Sequence, residues 1–225
     1  MSDIEFSKYE AFVEKHFPNS PVPNTKLMRD IYDVIQNNIE FMDLIRQIDI
    51  ETNEERETLY QTFYLLNIRT LYHMPSNDQF VNGIIIRAIV ENLFRLSVSL
   101  LKCPIVDLKE ASFSTMKTAL ESKGFQHRYK DFYECLCNNF GTYSKDVHGE
   151  NVHKLSEQEF LISIRTTENV EHLKRILKVY KKINELMIPF FLKEIRTKKT
   201  NLNAANLNRM LNIVGDSNYN IFYDK

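Results

Sequence analysis

Residues 79–102 read QFVNGIIIRAIVENLFRLSVSLLK, and this stretch decides the fold. Its Ile, Val, Leu and Phe residues cover most of a helical circumference, and a helix that is apolar on most faces sits at the centre of a bundle. Arg87, Glu91 and Arg95 interrupt it at i, i+4 and i+8, so the three charges share one face. They carry too much charge for a lipid-facing span across Val81–Leu101, the most apolar window of the chain. Ser76-Asn77-Asp78 restarts the chain into this helix, and Cys103-Pro104 ends it.

The flanking sequence repeats the helical period. Upstream, Asn53-Glu54-Glu55 opens a helix carrying Leu59, Phe63, Leu66 and Leu71 until His73-Met74-Pro75 stops it. Before that, Leu27, Ile31, Val34, Ile35, Ile39, Met42 and Ile45 recur at three- and four-residue spacing up to about Ile48. Residues 3–16 form a short amphipathic segment closed by Phe17-Pro18. Downstream, helices are expected over 107–123, with Gly124 as the stop, and over 126–140. Ser156-Glu157-Gln158-Glu159 resembles a capping box. A long helix over 167–195 is expected to kink at Pro189, and a small one over 201–214 leads into a fraying tail. Five glycines and six prolines in 225 residues leave few tight turns. The fold class is all-α: a bundle of about six to eight helices around a central apolar helix, 79–102. Residues 1–24 form an N-terminal helix and proline-containing linker, 25–200 the bundle, and 201–225 a C-terminal helix and tail.

Composition narrows the function classes. A net charge of −1 excludes a uniformly basic nucleic-acid surface but leaves room for a local basic groove. Cys103, Cys135 and Cys137 are an odd set without a second pair, which argues for reduced, partly buried thiols rather than zinc or disulfides. No HExxH, GxSxG or GxxxxGK[ST] pattern occurs. No cofactor or metal is expected. The first residues carry no basic flank or apolar block, so a cytoplasmic protein without a membrane span is expected.

Chemistry is hinted at by Tyr143-Ser144-Lys145-Asp146-Val147-His148-Gly149, read together with Arg87 and Glu91. Histidine titrates near neutral pH, and arginine holds a fixed charge suited to phosphate. Glu91 is the natural partner to hold Arg87, with Arg95 beyond it and Tyr143 and Ser144 as supporting groups. A plainer account also fits: the three charges make an ion-pair ladder, and His148 caps or packs. This order, Arg-x3-Glu on the central helix, roughly fifty residues of helix, Tyr-Ser-x3-His-Gly and another long helix, resembles the HEPN superfamily of helical bundles. The likeness is to its divergent branches in prokaryotic abortive-infection and toxin systems, and it covers about residues 55–195.

The resemblance implies a metal-independent endoribonuclease acting as a homodimer on RNA, with an antitoxin or sensor as a further partner. His148 would be the acid/base, and Arg87 the phosphate-stabilising group supported by Glu91. The chain departs from the family's Arg-x4–6-His motif: Gly141, Thr142 and Tyr143 occupy the places where the arginine before His148 would stand. Arg165-x6-His172 matches the spacing but straddles a predicted helix start, as a chance match would. A non-catalytic helical module that binds a partner protein, a nucleotide or its own copy is the alternative of a different class.

Overall fold

The structure is a computed structural model that describes residues 3–18, 20, 26–147, 158, 171–197 and 204–223. Among these residues the helices are α1 (Asp3–His16), α2 (Lys26–Ile48), α3 (Glu54–His73), α4 (Gln79–Leu100), α5 (Phe113–Ser122), α6 (Phe125–Arg128), α7 (Lys130–Val147), α8 (Glu171–Glu194) and α9 (Ala204–Tyr223). The chain is an all-α helical bundle, and no strand occurs among the described residues. No helix among them is long and apolar enough to cross a membrane.

Local signals set the boundaries. Asn53 caps α3, its side-chain oxygen accepting from the Arg56 N–H at 2.8 Å. Asp78 caps α4, with Oδ1 accepting from the N–H groups of Phe80 at 2.9 Å and Val81 at 3.1 Å. Asn77, in the left-handed region at φ 56°, makes the sharp turn between α3 and α4. The helix expected over 107–123 begins six residues later. Asp107 accepts from the N–H groups of Lys109 and Glu110 and so folds a turn, and Ser112 is the residue that caps α5, accepting from the Thr115 N–H at 3.1 Å. The helix expected over 126–140 is instead the single turn of α6 followed by α7, which runs on to Val147. Pro189 lies inside α8 without ending it. The expected fraying tail is helical as far as Tyr223, after a break at Gly215 (φ 73°). Residues 148–157, which hold the His148-Gly149 motif, and the capping-box residues Ser156, Glu157 and Glu159 lie outside the described residues.

Five long helices pack in a closed ring, α2 on α3, α3 on α4, α4 on α7, α7 on α8 and α8 back on α2. The apolar α4 is covered by α3, α5 and α7, and Ile86, Ile89, Val90, Leu93, Phe94 and Leu96 are each 1% exposed or less. Each such side chain contributes about 1.5–3 kcal/mol by leaving water. The ring closes through polar contacts as well. Asn184 Nδ2 donates to Asn38 Oδ1 at 2.6 Å, and the Thr70 and Tyr180 hydroxyls share a short hydrogen bond. α1 packs outside through Phe6 and Val13, and its Tyr9 hydroxyl donates to the Leu71 carbonyl at 2.7 Å. α9 rests on α2 and α8, with Arg209 paired to Asp43 at 3.1 Å.

One buried polar network ties three elements. Asp49 Oδ2 accepts from Arg56 Nη1 and from the Tyr60 hydroxyl, each at 2.9 Å. Arg56 also donates through Nε to Ser99 Oγ at 3.0 Å and through Nη2 to the Ser99 carbonyl at 2.8 Å. The Arg56 and Asp49 side chains are 5% and 0% exposed. The end of α2, the start of α3 and the end of α4 are thereby fixed together.

Nearer the surface, Arg46 Nη1 donates to Glu57 Oε1 at 2.8 Å. That bond, opposed by partial burial and helped by Gln61, holds the Glu57 carboxyl below its ordinary value. A lowered folded pKa means that the pair stabilises fully above about pH 4.3, the ordinary glutamate value, and that the contribution fades as pH falls through the folded value. Glu57→Gln is therefore expected to lower stability modestly near pH 7, leave it unchanged at acid pH, and so flatten the acid limb of a stability–pH curve. An unaltered acid limb in urea titrations would assign the loss to other carboxylates. Burial raises all three thiols, Cys103, Cys135 and Cys137, above their ordinary value, so each is a poor nucleophile at neutral pH. All three are free and half-buried.

Candidate functional site

The pairing of α4 with α7 brings Arg87 to Ser144. Arg87, half-buried on the first half of α4, donates from Nε to Ser144 Oγ at 3.2 Å. The Ser144 hydroxyl spends its own proton on the Phe140 carbonyl at 2.6 Å, so its lone pairs face the guanidinium. The Arg87 guanidinium carbon lies 4.9 Å from the centroid of the Phe140 ring. Phe140 is itself backed by Phe113, the rings parallel within 6° at 3.6 Å between centroids. Arg87 is thus held from one edge and one face. Among the described residues its two terminal nitrogens have no hydrogen-bond or ion-pair partner. A half-buried guanidinium without a carboxylate is poorly compensated, and an anion is what its planar fork would take.

Glu91 does not supply that compensation. Its Oε1 accepts from Arg95 Nη1 at 2.7 Å, correcting the expectation that Glu91 holds Arg87. The i,i+4 spacing allows either neighbour, and an acid N-terminal to its base is the better order along the helix dipole. Arg95 in turn donates to the carbonyls of Leu108, Lys109 and Ala111 at 3.2–3.4 Å, pinning the 103–112 segment. Eight residues along a helix separate Arg95 from Arg87 by about 12 Å, so Glu91 and Arg95 form a structural pair away from Ser144.

Beside Arg87, toward the N-terminus of α4, lies a cavity of about 210 Å³ between α4, α7 and α8. Asn82 and Gly83 line it from α4, Tyr143 and Lys145 from α7, His172 and Arg175 from α8. Arg87 follows Gly83 by four residues, so it stands one turn further along the same face. Among the described residues no carboxylate lines it. Lys145 and Arg175 are exposed at the rim, and Asn82 is 1% exposed and fully sunk in the wall. Among the described residues neither Asn82 Nδ2 nor Oδ1 has a hydrogen-bond partner.

Ser144 and Arg87 are therefore in contact, with Tyr143 adjacent to Ser144 in sequence. His148 follows the last residue of α7 in sequence and lies outside the described residues, as does Gly149. The sequence does not single out Asn82 or Arg175, gives Lys145 no role of its own, and shows His172 only in the chance spacing Arg165-x6-His172. The available signal was Asn82-Gly83, an amide and a glycine inside a run of isoleucines, where neither packs a core. Among the described residues no group of three or more His, Cys, Asp or Glu gathers in a way that could hold a metal ion. Comparison of the chain with protein-family models, with curated proteins and with solved structures finds no match to any of them.

Proposed function

We propose that the protein is a HEPN-like, metal-independent endoribonuclease of a prokaryotic defence or toxin system, with His148 as acid/base and Arg87 as the phosphate-binding group. What supports the reading most is Arg87. Its guanidinium is oriented by Ser144 and Phe140, keeps its terminal nitrogens unpaired among the described residues, and meets α7 four residues ahead of His148 in sequence. In this mechanism His148 takes the proton from a ribose 2′-hydroxyl as its oxygen attacks phosphorus. The bond to the 5′-oxygen breaks, and that oxygen leaves with a proton supplied by water. Arg87 stabilises the charge gathering on the non-bridging phosphate oxygens.

The test is cleavage of a mixed cellular RNA pool by purified protein in excess EDTA, with His148→Ala run in parallel. Cleavage that survives chelation and falls about a hundred- to ten-thousandfold in the variant is expected. Equal cleavage by both proteins would remove His148 from the chemistry.

A second reading, a non-catalytic module that associates with its own copy, draws on a different face. Tyr64, Leu65, Ile68 and Tyr72 of α3 are 46%, 54%, 38% and 51% exposed. Their i, i+4, i+8 spacing sets Tyr64, Ile68 and Tyr72 in one stripe. For a homodimer on this face, light scattering is expected to give twice the 26.7 kDa chain mass, reverting to one chain in Leu65→Glu. A single-chain mass for the wild type would exclude that arrangement.

A further inference from the structure

We infer that the basic face of α8 centred on Lys178 is a nucleic-acid backbone track, which holds a single RNA strand running into the cavity beside Arg87. The proposal deepens the nuclease reading and rests on it for the chemistry done at Arg87.

Lys178 carries the inference. Its neighbours at i−4, i−3, i+3 and i+4 are Lys174, Arg175, Lys181 and Lys182, so every position beside it on the helix surface is cationic. All five side chains are exposed, in a chain whose net charge is −1. Like charges at this spacing repel one another and destabilise the helix. Acids stand only at the two ends, where Glu171 holds Lys174 at 2.6 Å and Glu185 holds Lys182 at 3.1 Å. Among the described residues no carboxylate pairs with Arg175, Lys178 or Lys181. Such a one-sign patch attracts a ligand that carries several charges of the other sign. The patch also leads to the candidate site. Arg175, Lys178 and Lys182 stand at i, i+3 and i+7 in one stripe, and Arg175 shares the cavity wall with Lys145 of α7 and Gly83 of α4. Arg87, whose open guanidinium fork suits a phosphate, lies one turn beyond Gly83. An RNA strand puts one phosphate at Arg87 and further ones along α8. Because Arg87 is half-buried against α7, the strand has to bend into the seam, which a single strand does and a stiff duplex resists. A lipid surface fits less well, since the apolar side of α8 (Leu173, Ile176, Tyr180, Ile183 and Met187) is buried in the bundle and cannot insert among acyl chains.

The experiment is binding of a fluorescent oligothymidylate to the full chain, followed by polarisation across a range of salt concentrations. The probe carries the phosphates of RNA but no 2′-hydroxyl, so it reports the track without being cut. Binding is expected, with the logarithm of affinity falling against that of salt at a slope of about −3, as for about four phosphates met on a single strand. Lys178→Glu places an acid among four cations, and two opposite effects are expected of it. Affinity falls about tenfold or more, because one phosphate contact becomes a repulsion. The unliganded thermal midpoint at low salt rises, because repulsion within the helix becomes attraction to Lys174 and Lys182. Absence of binding, a slope near zero, tighter binding of a duplex than of the single strand, or unchanged affinity in Lys178→Glu would each overturn the proposal. Binding to phosphatidylserine vesicles but not to the oligonucleotide would also overturn it and assign the face to lipid. Oligothymidylate binding without RNA cleavage would remove the nuclease reading and keep the track. RNA cleavage by Lys178→Glu at the wild-type KM would do the reverse.

Discussion

Asp49→Ala is expected to lower folding stability by about 3–5 kcal/mol, enough to unfold most of a marginally stable domain. The size follows from what the substitution strands. Arg56 is buried among α2, α3 and α4, and Asp49 supplies its only carboxylate among the described residues. Removing that carboxylate leaves a guanidinium charge in a low-dielectric site, and the Tyr60 hydroxyl loses its acceptor too. The Coulomb attraction of the intact pair is a poor guide, since much of it is cancelled by taking both charges out of water. Changing Asp49 to Leu and Arg56 to Met together is therefore expected to recover a large share of the loss, although Ser99 and Tyr60 then keep unmatched polar groups. Urea unfolding at pH 7 measures both variants. A loss below about 1 kcal/mol for Asp49→Ala would put the pair on the footing of a surface salt bridge.

Arg87→Ala carries the largest expected effect on activity. Under the proposed mechanism, RNA cleavage is expected to fall about a hundred- to thousandfold, the usual result of deleting one preorganised charge-stabilising group. Stability should change little, because Arg87 is only half-buried and leaves no carboxylate unpaired. Arg87→Lys is the sharper variant. It keeps the charge but loses the planar fork and the Nε that meets Ser144, so partial activity at most is expected. Ser144→Ala should give a smaller loss, since Phe140 still supports the guanidinium face. Single-turnover cleavage with circular dichroism as a folding control distinguishes these outcomes. Wild-type rates in Arg87→Ala would remove Arg87 from the reaction.

The central helix was legible because thirteen of its residues from Asn82 to Leu100 are buried and the apolar run says so directly. Helix starts were legible at Asn53 and Asp78, where a capping side chain directly precedes the helical pattern. They were misread at Asp107, where an identical side chain folds a turn, because sequence does not state which backbone N–H an aspartate will meet. Motif order put Arg87 and Ser144 in one candidate site, but their meeting was not legible, because it depends on how α4 and α7 cross. Glu91 had two arginines at equal spacing, and the choice between them rested on orientation along the helix. The cavity was not legible at all. Its wall draws on residues 79–83, 142–145 and 172–176, which nothing in the one-dimensional pattern connects.

The closed ring also sets an order of events during synthesis. Its last seam joins α2 to α8, with Asn38 meeting Asn184 across 146 positions of chain. At about 5–20 residues per second, the ribosome takes roughly seven to thirty seconds to deliver the second half of that seam after α2 has emerged. Throughout that wait the apolar flank of α2 has no permanent neighbour, and a chain halted before α8 keeps it exposed to chaperones, proteases and other nascent chains. The most vulnerable moment for this protein is its birth.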